Sequence, residues 1–281
     1  MIVGVLLATY NRKEQTLLCL QSLYNQRLLG KHKLEIFLTE GAFLDSSVES
    51  LKSKSPKVNV YNGTGSSYRT GVNHNLWDEA LKVNCEFYLL LDEDIILDDL
   101  ALYRLLSYYK VWQNSAPVIC VGSIRDKITG KILYGGQKFL NKKDVQSVNV
   151  YSDTEYLDCD MSNSNIMLIP KVILNKIGML SGYYTTDIAS FDYSLHAKKA
   201  GFKTIVVPGV LGYCIEDYGM NLESVTLSLK ERIKFIKRLK GLPYKEYLQF
   251  LKLHFPLHLP VAFLRLWIKA LFPITWDKVK S

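Results

Sequence analysis

The sequence predicts an α/β fold, a mixed and mainly parallel sheet flanked by helices, followed by a basic helical tail. Strand-length runs that are apolar throughout carry the first part of that prediction, because a strand covered on both faces has no polar side to show. Helical periodicities alternating with those runs carry the second. The third comes from charge: residues 230–281 hold 12 Lys and Arg against 3 Asp and Glu, whereas residues 1–229 hold 23 against 24. The net charge of +8 therefore sits in the last fifth of the chain.

Residues 2–8 (IVGVLLA) form the first apolar run, and a polar loop, TYNR, follows. Over 14–24, Leu17, Leu18, Leu20 and Leu23 recur at helical spacing. Residues 34–38 and 58–61 read as strands, 72–81 as a helix, and 86–91 (EFYLLL) as a buried strand ending at Asp92, Glu93 and Asp94. A helix is predicted over 98–112, with Asp98 or Asp99 as its N-cap. Beyond it, 118–123, 131–134 and 146–151 are short strands split by Gly and Asn, which suggests antiparallel additions. Residues 166–169 and 204–207 are further strands, with a helix over 191–200 between them.

A chain of 281 residues, 48% hydrophobic and 22% charged, excludes wholesale disorder, collagen and a multi-span membrane protein. Five cysteines, at 19, 85, 120, 159 and 214, contain no CxxC pair. That argues against a disulfide framework or a structural zinc site and for a reducing compartment. The N-terminal run reads as a strand, without a basic region or cleavage signal, so no leader peptide is expected. A neutral body with a basic tail points to an anionic surface for the tail and not to nucleic-acid binding.

Ligands of open α/β sheets sit beyond the carboxyl ends of the strands. Three polar clusters fall there: residues 9–12, 40–45 and 92–94. Carboxylates at a strand end suit a hard divalent cation bridging to phosphate. The other use of Asp92–Asp94, capping the next helix, fits Asp98 or Asp99 better. Neither GxGxxG nor GxxxxGK[ST] occurs, which removes the main support for a dinucleotide-binding or P-loop reading. Trp77, Trp112 and Cys214 are read as packing residues. His254 and His258 are spaced as a metal pair, but Pro256 lies between them.

VGVLLATYNR, then an acid after the second strand, then LLLDED after a buried strand resembles the family 2 glycosyltransferases of GT-A fold. The resemblance spans roughly residues 1–215. NGTGSSYRTGVNHNLWDEAL, GSIRDKITGKILYGG, NSNIMLIPKVILNKIGML and FDYSLHAKKAGFKTIVVPGVLGYC continue it, and they are similar to a bacterial surface-polysaccharide branch. It implies an inverting transfer of a sugar from a nucleotide donor to a hydroxyl of a glycan or lipid-linked acceptor. It implies a nucleoside site at Thr9, Tyr10, Asn11, Arg12 and Glu40. Asp92, Glu93 and Asp94 would then form a DxD-type motif, contacting ribose and a diphosphate-bound Mg²⁺ or Mn²⁺ held by Asp94. Arg69, in a Gly-rich turn, is either a phosphate contact or a plain surface arginine.

One-step inversion needs a base for the acceptor proton. The position where the family carries its acid reads Ser190 here, and the family's usual Arg on that helix is His196. Asp192 and Asp187 are the remaining candidates, and Asp192 also reads as a structural acid at a helix start. The expected organisation is a transferase domain over 1–220, with a nucleotide-sugar half to about 115 and an acceptor half beyond it. A tail over 221–281 follows. Its basic amphipathic segments, over 224–240 and 255–276, suit an anionic membrane interface, with packing on the domain or a dimer partner as the alternative. Pro256, Pro260, Pro273 and two charges argue against a span. A cytoplasmic location, peripheral on the membrane, follows from this reading. A scaffold protein without catalysis and a nucleotidyltransferase are its rivals. The second lacks the Gly-rich N-terminal phosphate loop expected of it.

Overall fold

The computed structural model describes residues 1–9, 12–27, 32–40, 58–62, 74–112, 116–141, 145–214 and 244–271. In chain order these residues form β1 (Ile2–Thr9), α1 (Lys13–Tyr24), β2 (Lys33–Glu40), β3 (Val58–Asn62), α2 (His74–Lys82), β4 (Phe87–Asp92) and β5 (Ile96–Leu97). Then come α3 (Ala101–Trp112), β6 (Val118–Asp126), β7 (Ile132–Tyr134), β8 (Gly136–Asn141), β9 (Gln146–Val150), β10 (Leu157–Cys159), β11 (Met161–Ser162) and β12 (Ile166–Pro170). The remainder is α4 (Lys171–Ile177), α5 (Ile188–Lys199), β13 (Lys203–Cys214), α6 (Tyr244–His254) and α7 (Leu259–Leu271), with a 3₁₀ turn over Pro256–His258 between the last two.

The strands predicted from unbroken apolar runs lie at the middle of one large sheet, ordered β10-β13-β6-β12-β4-β1-β2-β3. β1 is buried at every residue but its first, and β4 at every residue but its last. β1 pairs parallel with β2 and β4, and β2 parallel with β3. β12 runs antiparallel between β4 and β6, and β6 is parallel to β13. The second half is therefore mixed, with β6 and β13 as its parallel pair. On one face Val3, Val5 and Leu7 share a core with Leu89, Leu91, Leu102, Leu105 and Leu168. On the other, Trp77 is fully buried, its ring 5.6 Å from that of Tyr88.

Several elements depart from their predicted extents. β13 runs on to Cys214, pairing with β6 along its length and with β5 near its end. α5 begins at Ile188, three residues before the predicted start. β5, β8, β10, β11 and α4 have no counterpart among the predicted elements. β8 places Gly136 and Gln137 against Ser162 and Met161. All five cysteines are free and buried, Cys214 among them as expected.

The chain divides into two compact units, Met1–Lys138 with Ser147–Glu216, and Phe139–Gln146 with Asp217–Ser281. In the second, α6 ends at His254 and Pro256 opens the 3₁₀ turn, as a proline without a backbone N–H favours. Phe255 packs on Phe250, His254 and Phe139. The segment over 224–240 lies outside the described residues. Among the described residues no helix is long and apolar enough to cross a membrane.

Candidate active site

The parallel register brings three strand ends level. Thr9 stands opposite Glu40, and Ala8 opposite Asp92. The acids after β4 thus emerge beside the β1–α1 connection, at the edge where an open sheet binds ligands.

The connection is fixed by side chains. Thr16 donates its hydroxyl to the Arg12 carbonyl at 2.7 Å, and its backbone N–H donates to the same oxygen at 2.9 Å. Because that hydroxyl proton is committed, the 2.7 Å contact between Thr9 Oγ1 and Thr16 Oγ1 has Thr9 as donor. Both threonines are buried. Arg12 is held in place by its carbonyl while its guanidinium reaches across to the β4 turn. Nη1 lies 2.6 Å from Asp94 Oδ2 and 3.5 Å from Glu93 Oε1. The Asp94 side chain is 29% exposed and that of Glu93 14%. The pair therefore borders solvent, where part of its attraction is screened.

The acidic turn is pinned from behind by residues that sequence reading passed over. The Asp92 carbonyl accepts from Ile95 N–H at 3.3 Å and from the Cys19 thiol at 3.7 Å. Ser22 Oγ accepts from Leu97 N–H at 3.0 Å. Gln26 donates to the Asp98 carbonyl at 2.7 Å and accepts from Leu102 N–H at 2.9 Å. α3 begins at Ala101, so neither Asp98 nor Asp99 is its N-cap; Asp98 instead forms the turn before it, its Oδ1 accepting from Leu100 N–H at 3.1 Å and its carbonyl from Ala101 N–H at 2.9 Å. α1 and the residues flanking its two ends thus supply both the arginine in front of the acids and the polar residues behind them.

Two buried thiols register the local negative charge. The Cys19 thiol is pushed well up, first by burial and then by Glu93, Asp94 and Asp92. Cys214, at the end of β13, is pushed up to about 12 by burial first, with Asp94 next. Neither is a nucleophile at neutral pH.

A buried polar run flanks Asp92 on the β12 side. Asp160, Ser162, Asn163, Ser164 and Asn165 are all under 9% exposed, and the Asn165 carbonyl accepts from Asp92 N–H at 3.3 Å. Asp160 is ion-paired with Lys198 of α5. Ser194 Oγ accepts from Ser162 N–H at 3.3 Å. Of these polar residues, Asn165 braces the backbone of the strand-end acid, while Asp160 and Ser162 are tied to α5. The visible signal was the segment CDMSNSN itself, polar where its neighbours are apolar.

Asp187 and Asp192 lie on a different element. Asp187 is the N-cap of α5, where its side chain makes no cap bond, and its carbonyl accepts from Ser190 and Phe191 N–H. Asp192 lies within the first two turns and accepts from the Tyr184 hydroxyl at 3.5 Å. Ser190 is 1% exposed, and its carbonyl accepts from the Ser194 hydroxyl at 2.8 Å. Tyr10, Asn11 and Arg69 lie outside the described residues. Glu40 is placed by its backbone at the end of β2.

Carboxylate oxygens at a strand end have the right chemistry for Mg²⁺ or Mn²⁺. Among the described residues no three His, Cys, Asp or Glu side chains converge as a protein-only metal cage. The donor set fits a cation that keeps one or two carboxylates and takes its other oxygens from a diphosphate. Asp94, with Asp92 beside it, would hold such an ion in competition with Arg12.

No family model matches the chain, and no curated protein matches it. Among solved structures, that of Staphylococcus aureus TarS residues 1–349 superposes with a TM-score of 0.54 at 16% identity, covering 76% of this chain and 60% of that one. A longer S. aureus TarS structure gives a TM-score of 0.51 at 14% identity, covering 91% of this chain and 44% of the other. The chain thus spans less than two thirds of either neighbour. At such identities the likeness is one of fold: the chain is an α/β protein of GT-A-like architecture.

Proposed function

We propose that this chain is an inverting glycosyltransferase. In this reading it moves a sugar from a nucleotide donor to a hydroxyl of a glycan or lipid-linked acceptor in bacterial surface-polysaccharide synthesis. The observation that carries it is Asp92–Asp94 at the end of β4, faced by Arg12, on a GT-A-like sheet. Transfer would form a bond from the acceptor oxygen to the anomeric carbon and break the bond from that carbon to the diphosphate. The developing diphosphate charge needs cations at this strand edge. Arg12 is one cation that the chain itself supplies. A divalent ion at Asp94, when bound, would supply further charge neutralisation.

Thr9 and Glu40, on neighbouring strand ends, suit the nucleoside, with Tyr10, Asn11 and Arg69 as further contacts. The acceptor proton goes to Asp192 or Asp187. The domain reading, transferase over 1–220 and tail over 221–281, belongs to this proposal. So does a peripheral position on the cytoplasmic face of the membrane, with a homodimer as the alternative use of the tail. Exposed Leu257, Phe263 and Leu264 in the second unit support membrane contact.

Calorimetric titration with UDP, GDP and dTDP, each with and without Mn²⁺ or Mg²⁺, tests the donor site. One nucleotide is expected to bind with metal and to lose at least tenfold in affinity in Asp94→Asn, a change of ~1.4 kcal/mol. No binding of any nucleotide under any condition would favour a binding or scaffold protein without catalysis. Ser190, buried where the family carries its acid, is the observation on that side.

A further inference from the structure

A second concavity in the first unit shares no residue with the strand-end crevice. It has a volume of about 520 Å³ and is walled by α3, the end of β6, the loop after β9 and the middle of β13. That is room for a sugar-sized ligand. Two arginines line it, Arg104 from α3 and Arg125 from β6, together with Tyr108, Tyr151 and Asp153.

Arg104 Nη1 donates to the Val210 carbonyl at 3.3 Å. β13 shifts register between Val206 and Val210. Gly209 takes φ +77° within that irregularity, and its N–H donates to the Ser152 carbonyl at 2.9 Å. A Cβ at Gly209 would lie 3.1 Å from Arg104 Nη1, so the glycine leaves the guanidinium its place in the pocket wall. The Tyr151 hydroxyl hydrogen-bonds Asp153, and the Arg125 side chain reaches the same hydroxyl through its charge and a side-chain hydrogen bond. Among the described residues neither arginine has a carboxylate within ion-pairing distance. Arg125 Nε is moreover buried without a hydrogen-bond partner.

Arg125 is half-exposed, so its guanidinium faces the cavity while its Nε, buried, has no protein acceptor, and a ligand can supply the missing oxygen. Two guanidiniums at one cavity match an anion with several oxygens, and phosphate accepts from more than one fork where a carboxylate is used up by a single one. Tyr108, which also packs on the core, and Tyr151 bring aromatic rings to the lining, the residue type that covers one side of a sugar. Asp153 is an acceptor for sugar hydroxyls and lowers the net positive charge of the site to +1.

We propose that this pocket binds a sugar phosphate, with Arg104 and Arg125 on the phosphate and Tyr108 and Tyr151 against the ring. The proposal does not depend on the transferase reading: nucleotide binding at the strand ends can fail while this site stands.

The test is calorimetric titration of the full chain with glucose 1-phosphate, glucose, glucuronate and inorganic phosphate. Glucose 1-phosphate is expected to bind at least tenfold tighter than each of the other three. Arg104→Gln and Arg125→Gln should each weaken it about tenfold, and Arg12→Gln should leave it unchanged. Asp153→Asn should tighten it about threefold by removing a like charge, a gain that a misfolded variant cannot produce. Equal binding of inorganic phosphate would overturn the sugar part, and equal binding of glucuronate the choice of phosphate. Binding lost in Arg12→Gln but kept in both pocket variants would overturn the site and assign the ligand to the crevice. No binding of glucose 1-phosphate at millimolar concentration would overturn it outright.

Discussion

Asp187 and Asp192 differ by little more than one helical turn, yet their surroundings separate them. Asp187 caps α5 through its backbone, leaving its carboxylate without a capping bond. Asp192 receives the Tyr184 hydroxyl at 3.5 Å, a distance at the long limit of hydrogen bonding. On the proposed reaction, replacing the base by Asn should lower kcat by about 10²–10⁴ with nucleotide affinity unchanged, while the other substitution leaves kcat within a few fold. Steady-state kinetics of the two single variants decides between them. Near-normal turnover in both would remove both carboxylates from the role. At this scale the sequence disclosed the acids and the arginine, because charged residues directly after an apolar strand have few bland uses. It did not disclose Cys19, Ser22, Gln26 or Asn165, ordinary residue types that reach the acidic turn from about 70 residues away in either direction.

At the scale of elements, the prediction concerns β8. Gly136 pairs with Ser162, and a Cβ there would meet Val206 Cγ2 at 2.3 Å and Cys159 Cβ at 2.7 Å. Neither neighbour is the end of a long flexible side chain, so Gly136→Ala must displace packed strands. A loss of roughly 1–3 kcal/mol is expected, read as a lower denaturant midpoint with unchanged slope. A midpoint equal to the parent's would show that β8 yields freely. β8 went unread in the sequence for a related reason: it lies between β9 and the two-residue β11, whose pairing with Gly136 and Gln137 is set by tertiary packing and leaves no local period. β1, β4 and β12 were legible because burial on both faces writes a continuous apolar run. α5 was read as a helix but begun three residues late, since two acids, Asp187 and Asp192, each suit a helix start and the later one lies nearer the predicted first turn. In the tail, α7 follows a proline turn and exposes Phe263, Leu264 and Ile268 beside Arg265. Co-flotation of the full chain with anionic vesicles, weakened by high salt, is expected from that face. Failure of a folded sample to float would leave the dimer as the alternative for this face.

For the whole molecule, the buried thiols set an alkaline limit. Cys159 and Cys214 are each held up to about 12, chiefly by burial, and Cys85 to about 11. In the unfolded chain such thiols titrate near their ordinary value of 9.0. Above that pH the unfolded state has released protons that the folded state keeps, so stability falls with rising pH. Their contribution is complete below about pH 9 and is lost progressively towards about 12. The thermal midpoint should therefore decline from pH 9 to 11, and a flat profile over that interval would contradict the burial of these groups. The composition foretold free cysteines in an α/β body. It held no information on which strand each would line, because that follows from the sheet order.

That order has a consequence for synthesis on the ribosome. β1 to β4 can assemble once residue 92 has emerged, but β6 has no place beside them, since β12 stands between β4 and β6. The apolar strand Val118–Asp126 can pair at once only at its end, with Ile132–Tyr134; it must wait for Ile166–Pro170, some forty residues later, before it can join the sheet, and for Lys203–Cys214 before its other edge is covered. During that interval the growing chain carries an unpaired edge at β4 and a detached apolar strand, the two features that invite association between nascent chains. Elongation through residues 127–170 is thus the stretch in which this protein most needs a chaperone's cover.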